Sequence, residues 1–594
     1  MTQHFSRSGS SRLRSSGLAA IWVASVALGA GALGTACQMD MVVAADDSDA
    51  GSGGSNPDEE TPNGESGENS GPLAGGASGV SGANSARAGS GGQGVSPPMS
   101  AGGSISVGGG SAGGGGPTTP SLLVPLNERR SLRLNEASFA RTLSALLQIP
   151  EGELQLSALA SFGYELDPSC SGFSKWAELS RAALASRTDE QVLEALDCVE
   201  AGPDCIAPLG EFAARAYGRP LAEGEIEALV EEATFGDGLV DVESIRAAVR
   251  TILISPEVEC LSQAGTLVRD QLYALDNYEM AALLSHTVVD LPPDDELWDA
   301  AESDDFSPSE QLDRLAAKPE AREQVARLIR SWVGIPEAKS LWTATSEPEL
   351  SSSMLGETQR FIEEVVFERD SPFSTLLNAN FSFVDARLAE LYGLDPVSEF
   401  SEVDLSQTRR RGLLHHASYL TATSFDSFAS LGGRAVHPLH LMCVMISPPP
   451  PDTPAVIREP DQTGREYAEQ TMVQAPCASC HSVINPFYLA FEHFDAMGAY
   501  RETQAGKPID ASGVTSASGS EIRFEDSADL VEQIALLQAT NDCFRMTVRG
   551  WFIGTPINEQ LGWGRAVTDP APSVPVLSAM RTFVDSYGFR FRTN

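Results

Sequence analysis

Positive charge is scarce in this chain. Its 594 residues hold 40 Lys and Arg against 81 Asp and Glu, a formal charge of −41. Such a surface repels nucleic acid phosphates and offers no polybasic patch to anionic lipid. Long apolar runs are also missing, save one at the N-terminus, which excludes a membrane protein with several spans. Long alternating strand patterns are scarce, so a large sheet is excluded. There is no P-loop, no Rossmann glycine pattern, no G-x-S-x-G elbow and no repeat of fixed period. Nine cysteines are too few for a disulfide-dense miniprotein of this length.

What is present begins with an export signal over residues 1–36. Arg7, Arg12 and Arg14 form a basic start, and 17–33 is an apolar stretch containing Ile21, Trp22, Val23, Val26 and Leu28. Gly34, Thr35 and Ala36 then precede Cys37. A Cys after small residues resembles a bacterial lipoprotein cleavage site, so Cys37 is expected to carry lipid; the alternative is simple cleavage near Ala36. Residues 37–120 read as a disordered Gly/Ser-rich linker. Of the 70 residues 51–120, 36 are Gly or Ser, leaving almost no apolar area to offset backbone entropy. A tether directly behind a lipidated Cys holds a folded body away from a membrane. Both readings place the mature chain outside the cytoplasm, as an outer-membrane, cell-surface or periplasmic protein.

Beyond Ser121 the periodicity is helical, and the fold class expected is mainly α. Asn135 is placed to cap a segment with Phe139, Leu143, Leu146 and Leu147 on one face. Ile245, Val249, Ile252 and Leu253 repeat the spacing, and so do Phe361, Ile362, Val365 and Val366 behind Glu357. A short β element is expected at 513–524. Asp294, Asp295 and Glu296 read as an acidic helix start. Six cysteines (Cys170, Cys198, Cys205, Cys260, Cys443 and Cys543) could form three disulfides in an oxidising compartment. Cys198 with Cys205 is favoured across a short loop, and Cys443 with Cys543 is a second candidate pair.

The chemistry lies in Cys477-Ala478-Ser479-Cys480-His481. Two thiols one helical turn apart suit thioethers to the two vinyl groups of one haem. The adjacent His481 then supplies its imidazole to the iron, as in covalent haem c. A thioredoxin-like CxxC would need a surrounding βαβ unit, and zinc would need further ligands where only His493 is near. The pairs His415-His416 and His437 with His440 read as structural histidines rather than metal ligands.

Residues 477–501 read CASCHSVINPFYLAFEHFDAMGAYR. They resemble the cytochrome module of the planctomycete-type surface cytochromes, also found in myxobacteria, with the pattern CxxCHxxIDPxGFxxExFDxxGxxR. Ile484, Pro486, Glu492, Phe494, Asp495, Gly498 and Arg501 follow that pattern. Asn485 stands where Asp is usual, Tyr488 where Gly is usual, and Thr471 where the family often has His. Arg133 to Phe139, the Arg215–Leu221 stretch, Leu275 to Glu279, Asn380 to Val384 and Ile509 to Gly513 resemble further elements of the same domain string, in the same order.

The resemblance implies a multidomain helical body: an N-terminal helical domain 125–195, a small one 196–265 with an RxYxRPL-like motif, a central one 270–397, a cytochrome c-like haem-binding domain 405–505 and a small C-terminal domain 506–592. Haem c is the implied cofactor, held by Cys477 and Cys480 with His481 on the iron. Met472 is the first candidate for the sixth ligand, followed by Met497 and His493. The function expected is one-electron transfer with a redox partner, no nucleic acid partner, and a membrane reached through the lipid anchor. A haem-dependent peroxidase or oxidase, and a surface scaffold with structural haem, are the alternatives.

Overall fold

A computed structural model of the chain describes residues 131–554 and 573–593, except 151–152, 155–175, 235–237, 337–346, 426–427, 447–455, 457, 460, 474 and 520. The export signal, Cys37, the Gly/Ser-rich linker and Cys170 lie outside the described residues.

Helices form where caps and periodicity call for them. The Asn135 side chain accepts the Ser138 backbone N–H, satisfying one of the donors that a helix start leaves open. The helix Glu136–Leu146 then buries Phe139, Leu143 and Leu146. Asp241 and Asp276 begin Val242–Leu253 and Asn277–Val288 with reciprocal capping boxes. Asp294 caps Asp295–Glu302, accepting from Leu297, as the acidic turn predicts. The helix carrying Phe361 and Ile362 starts earlier than its apolar spacing suggests. It runs Pro348–Glu363, so Glu357 lies inside it; proline tolerates the first turn because its missing N–H needs no partner there.

Strands are few and short. Ser131–Arg133 pairs antiparallel with Cys260–Ser262, and Phe591–Thr593 joins Leu272–Ala274 and Thr266–Arg269 in a three-stranded sheet. Gly513–Thr515 and Ile522–Phe524 form the hairpin expected at 513–524. The Cys198–Cys205 and Cys443–Cys543 disulfides are both present, and Cys260 is also disulfide-bonded. No helix among the described residues is long and apolar enough to cross a membrane.

Residues 118–594 cluster as one unit. One hydrophobic core takes residues from Leu134 to Phe589 and so draws on every segment expected as a separate domain. The helix Asn277–Val288 shows why. Its residues from Glu279 to Val288 are all buried, so it must be covered on every side. Pro308–Ala316, Pro319–Val333 and the late helix Gln538–Ile553 cover it. Truncating Leu284, which is fully buried, would cost about 2–5 kcal/mol. A smaller cluster gathers Met354, Val384, Leu388, Ala389, Tyr392 and Ala417.

Candidate functional site

The CxxCH motif lies on the helix Ala475–Ala490. Leu431–Leu441 and Gly464–Val473 pack against it. Its inner face buries Ile484, Phe487, Tyr488 and Leu489, while Cys477, Cys480 and His481 are only half-buried. Helical spacing puts Cys477, Cys480 and His481 on one face, because residues three and four apart are neighbours. Both cysteines carry thiols.

A chain of hydrogen bonds orients His481. The Thr471 hydroxyl donates to the Ala468 carbonyl at 2.6 Å, which leaves its oxygen lone pairs turned outward. The Asn485 amide nitrogen donates to that hydroxyl at 3.2 Å and to the same carbonyl at 2.8 Å. Those two acceptors settle which end of the amide is nitrogen. The amide oxygen therefore faces His481 Nδ1 at 3.0 Å and accepts its N–H. The neutral ring then keeps its lone pair on Nε2, the state a metal-ligating histidine needs. Asn485 and Thr471, two departures from the family pattern, thus touch each other. The contact also puts position 471 on the Nδ1 side of the ring, away from Nε2.

The remaining motif residues build the turn that ends this helix. Asp495 accepts the backbone N–H groups of Met497 and Ala499 at 2.9 and 2.8 Å. Gly498 has φ of 86°, and a side chain there would press on Ala417 and Leu420. Arg501 Nε donates to the Glu492 carbonyl at 3.1 Å. Two buried arginines that motif reading missed clamp the same turn. Arg434 donates to the carbonyls of Phe491, Phe494, Asp495 and Leu420. Arg410 donates to the His415 and Gly498 carbonyls and lies over the Tyr392 ring, 3.6 Å from its centroid.

The histidine pairs are structural. His415 bonds the Arg411 carbonyl and the Ser527 hydroxyl, both at 2.8 Å. His416 sits between the Thr358 and Ser382 hydroxyls. The His437 ring fills the space that a Cβ at Gly334 would take. Burial pushes His415 and His416 down to about 3 and His437 to about 4, so all three are neutral near pH 7. Among the sixth-ligand candidates, Met497 packs against the Met354 and Tyr392 cluster. His493 bonds the Arg501 carbonyl through Nδ1 and stacks on Tyr500. Met472 ends the neighbouring helix with its side chain exposed, beside Val473. Among the described residues no cluster of three or more His, Cys, Asp or Glu could hold a bare metal ion.

The donor set fits a covalently attached haem: two accessible thiols and an imidazole on one helix face, the imidazole held with Nε2 bare. This is a mainly helical protein presenting a CxxCH face late in its chain. The family PSD4, a protein of unknown function (DUF1592), matches residues 275–394, and PSCyt3, a protein of unknown function (DUF1588), matches 410–504. The chain therefore carries the PSD/PSCyt planctomycete-type domain string in its central and late segments. No curated protein and no solved structure matches the chain.

Proposed function

We propose that the protein is an exported carrier of one covalent haem c that passes single electrons at the cell surface or in the periplasm. The observation that carries this reading is the His481 ring, held by Asn485 with Nε2 bare, on the same helix face as Cys477 and Cys480. The short name of the PSCyt family, which points to a cytochrome, supports it. Each thiol would add across one vinyl group, sulfur to one carbon and hydrogen to the other, so attachment consumes no oxidant. The bound group supplies a one-electron iron couple. His481 would hold its iron, and Met472, exposed at the end of the neighbouring helix, is the residue offered beside it. The helical body before the motif recognises the redox partner. The basic start, apolar run and Cys37 supply export and a lipid anchor.

The test is expression in a cell competent in cytochrome c maturation. Haem should stay on the polypeptide through denaturing electrophoresis, and a low-spin six-coordinate spectrum should accompany it. Exported wild-type protein without bound haem overturns the reading. A five-coordinate high-spin spectrum would point to a haem enzyme instead.

A further inference from the structure

We propose that Asn485 is a positioning residue that sets the electron-donating strength of His481, and through it the reduction potential of the haem. The inference rests on the haem reading above. Asn485 is 6% exposed and Thr471 2%, so neither amide nor hydroxyl can exchange its partners for water. The polarity of the chain is forced at each link. The Thr471 hydrogen is spent on the Ala468 carbonyl, so Thr471 can only accept from Asn485. The amide nitrogen is spent on Thr471 and Ala468, so only its oxygen faces the imidazole. The imidazole N–H consequently meets a neutral acceptor of moderate strength.

A carboxylate in that place would draw the N–H harder and make the ring a stronger donor to iron. Stronger donation stabilises the ferric state. An apolar side chain would remove the acceptor, weaken donation and let the ring turn about its side-chain bond. The two replacements therefore move the potential in opposite directions. A residue that merely packs the two helices together would not separate them by sign.

The experiment compares holoprotein of wild type, Asn485→Asp and Asn485→Leu by redox titration and by electron paramagnetic resonance. Asn485→Asp should shift the ferric/ferrous balance about tenfold toward ferric, about 59 mV. Asn485→Leu should shift it the other way and broaden the low-spin signal. Where Asn485→Leu yields no folded protein, Thr471→Val takes its place. It frees the amide nitrogen from one acceptor and should give a smaller shift in the same direction as Leu. Unchanged potentials, or shifts of the same sign in the Asp and apolar variants, overturn the proposal. Wild-type protein without haem overturns the haem reading itself, a result the redox comparison cannot imitate.

Discussion

Glu357 Oε2 accepts the phenolic hydrogen of Tyr392 at 2.6 Å, and the Tyr392 oxygen accepts the Ala417 N–H at 2.8 Å. The other carboxylate oxygen accepts from Ser382, which also contacts His416. The group is fully buried and joins the helix Pro348–Glu363 to the chain leading into the CxxCH region. Burial pushes the Glu357 carboxyl up to about 7.

This raised carboxyl favours the fold at low pH. Its contribution is complete below the ordinary value of 4.5 and is lost as pH rises through about 7. His286, His415 and His416, held near 3, and His437, held near 4, act in the opposite sense. Their contribution is present above the ordinary histidine value of about 6.5 and fades as pH falls. Glu357→Gln should therefore gain on wild type between pH 4.5 and 7, by up to about 1.4 kcal/mol per pH unit. Melting temperatures at pH 5 and pH 8 check this. Parallel curves for the two proteins would remove Glu357 as a titrating group.

Arg434 is fully buried, and its guanidinium serves four carbonyls and the Ser424 hydroxyl. Arg434→Met should cost roughly 3 kcal/mol or more, because several buried acceptors lose a charged donor at once. Arg434→Lys should rescue only part, since an ammonium lacks the planar fork that spans these carbonyls. Denaturant midpoints report the loss. A cost below about 1 kcal/mol for Arg434→Met would show that water replaces the clamp.

The Cys443–Cys543 and Cys198–Cys205 disulfides close loops of very different length, with separations of 100 and 7 residues. Removing Cys443–Cys543 should cost about 4.7 kcal/mol on chain-entropy grounds, and Cys198–Cys205 roughly 2 kcal/mol less. Paired Cys→Ala variants, compared by thermal unfolding, check the order. Equal losses would place the stabilisation in local packing.

Met472→Ala should convert a low-spin holoprotein to a high-spin one, whereas Met497→Ala and His493→Ala should leave the spectrum unchanged. Met497 and His493 are engaged in packing and in a carbonyl hydrogen bond, and Met472 keeps an exposed thioether. A low-spin spectrum that survives Met472→Ala would move the ligand elsewhere, with half-buried His437 the next residue to replace.

The sequence by itself determined what depends on neighbours in the chain. Asn135 and Asp294 cap helices because a short side-chain oxygen reaches an N–H three residues on. The 513–524 hairpin and the CxxCH spacing are local in the same sense, and the short loop favoured Cys198–Cys205, whereas Cys443–Cys543 was only a candidate pair until the fold brought the two cysteines together. Only tertiary structure decided the rest. Asn485 looked like a simple departure from a pattern until its amide met Ala468 and Thr471 on another helix. Arg410, Arg434 and Glu357 are charged residues that local reasoning assigns to solvent. Each is buried by partners tens of residues away: Gly498 for Arg410, Phe491 for Arg434 and Tyr392 for Glu357. Likewise, one core gathers the segments expected as separate domains, because the helix Asn277–Val288 is buried from Glu279 to Val288 and needs the late helix Gln538–Ile553 to help cover it. Periodicity shows which face of a helix seeks cover, but the covering element is chosen by the packing of the whole chain.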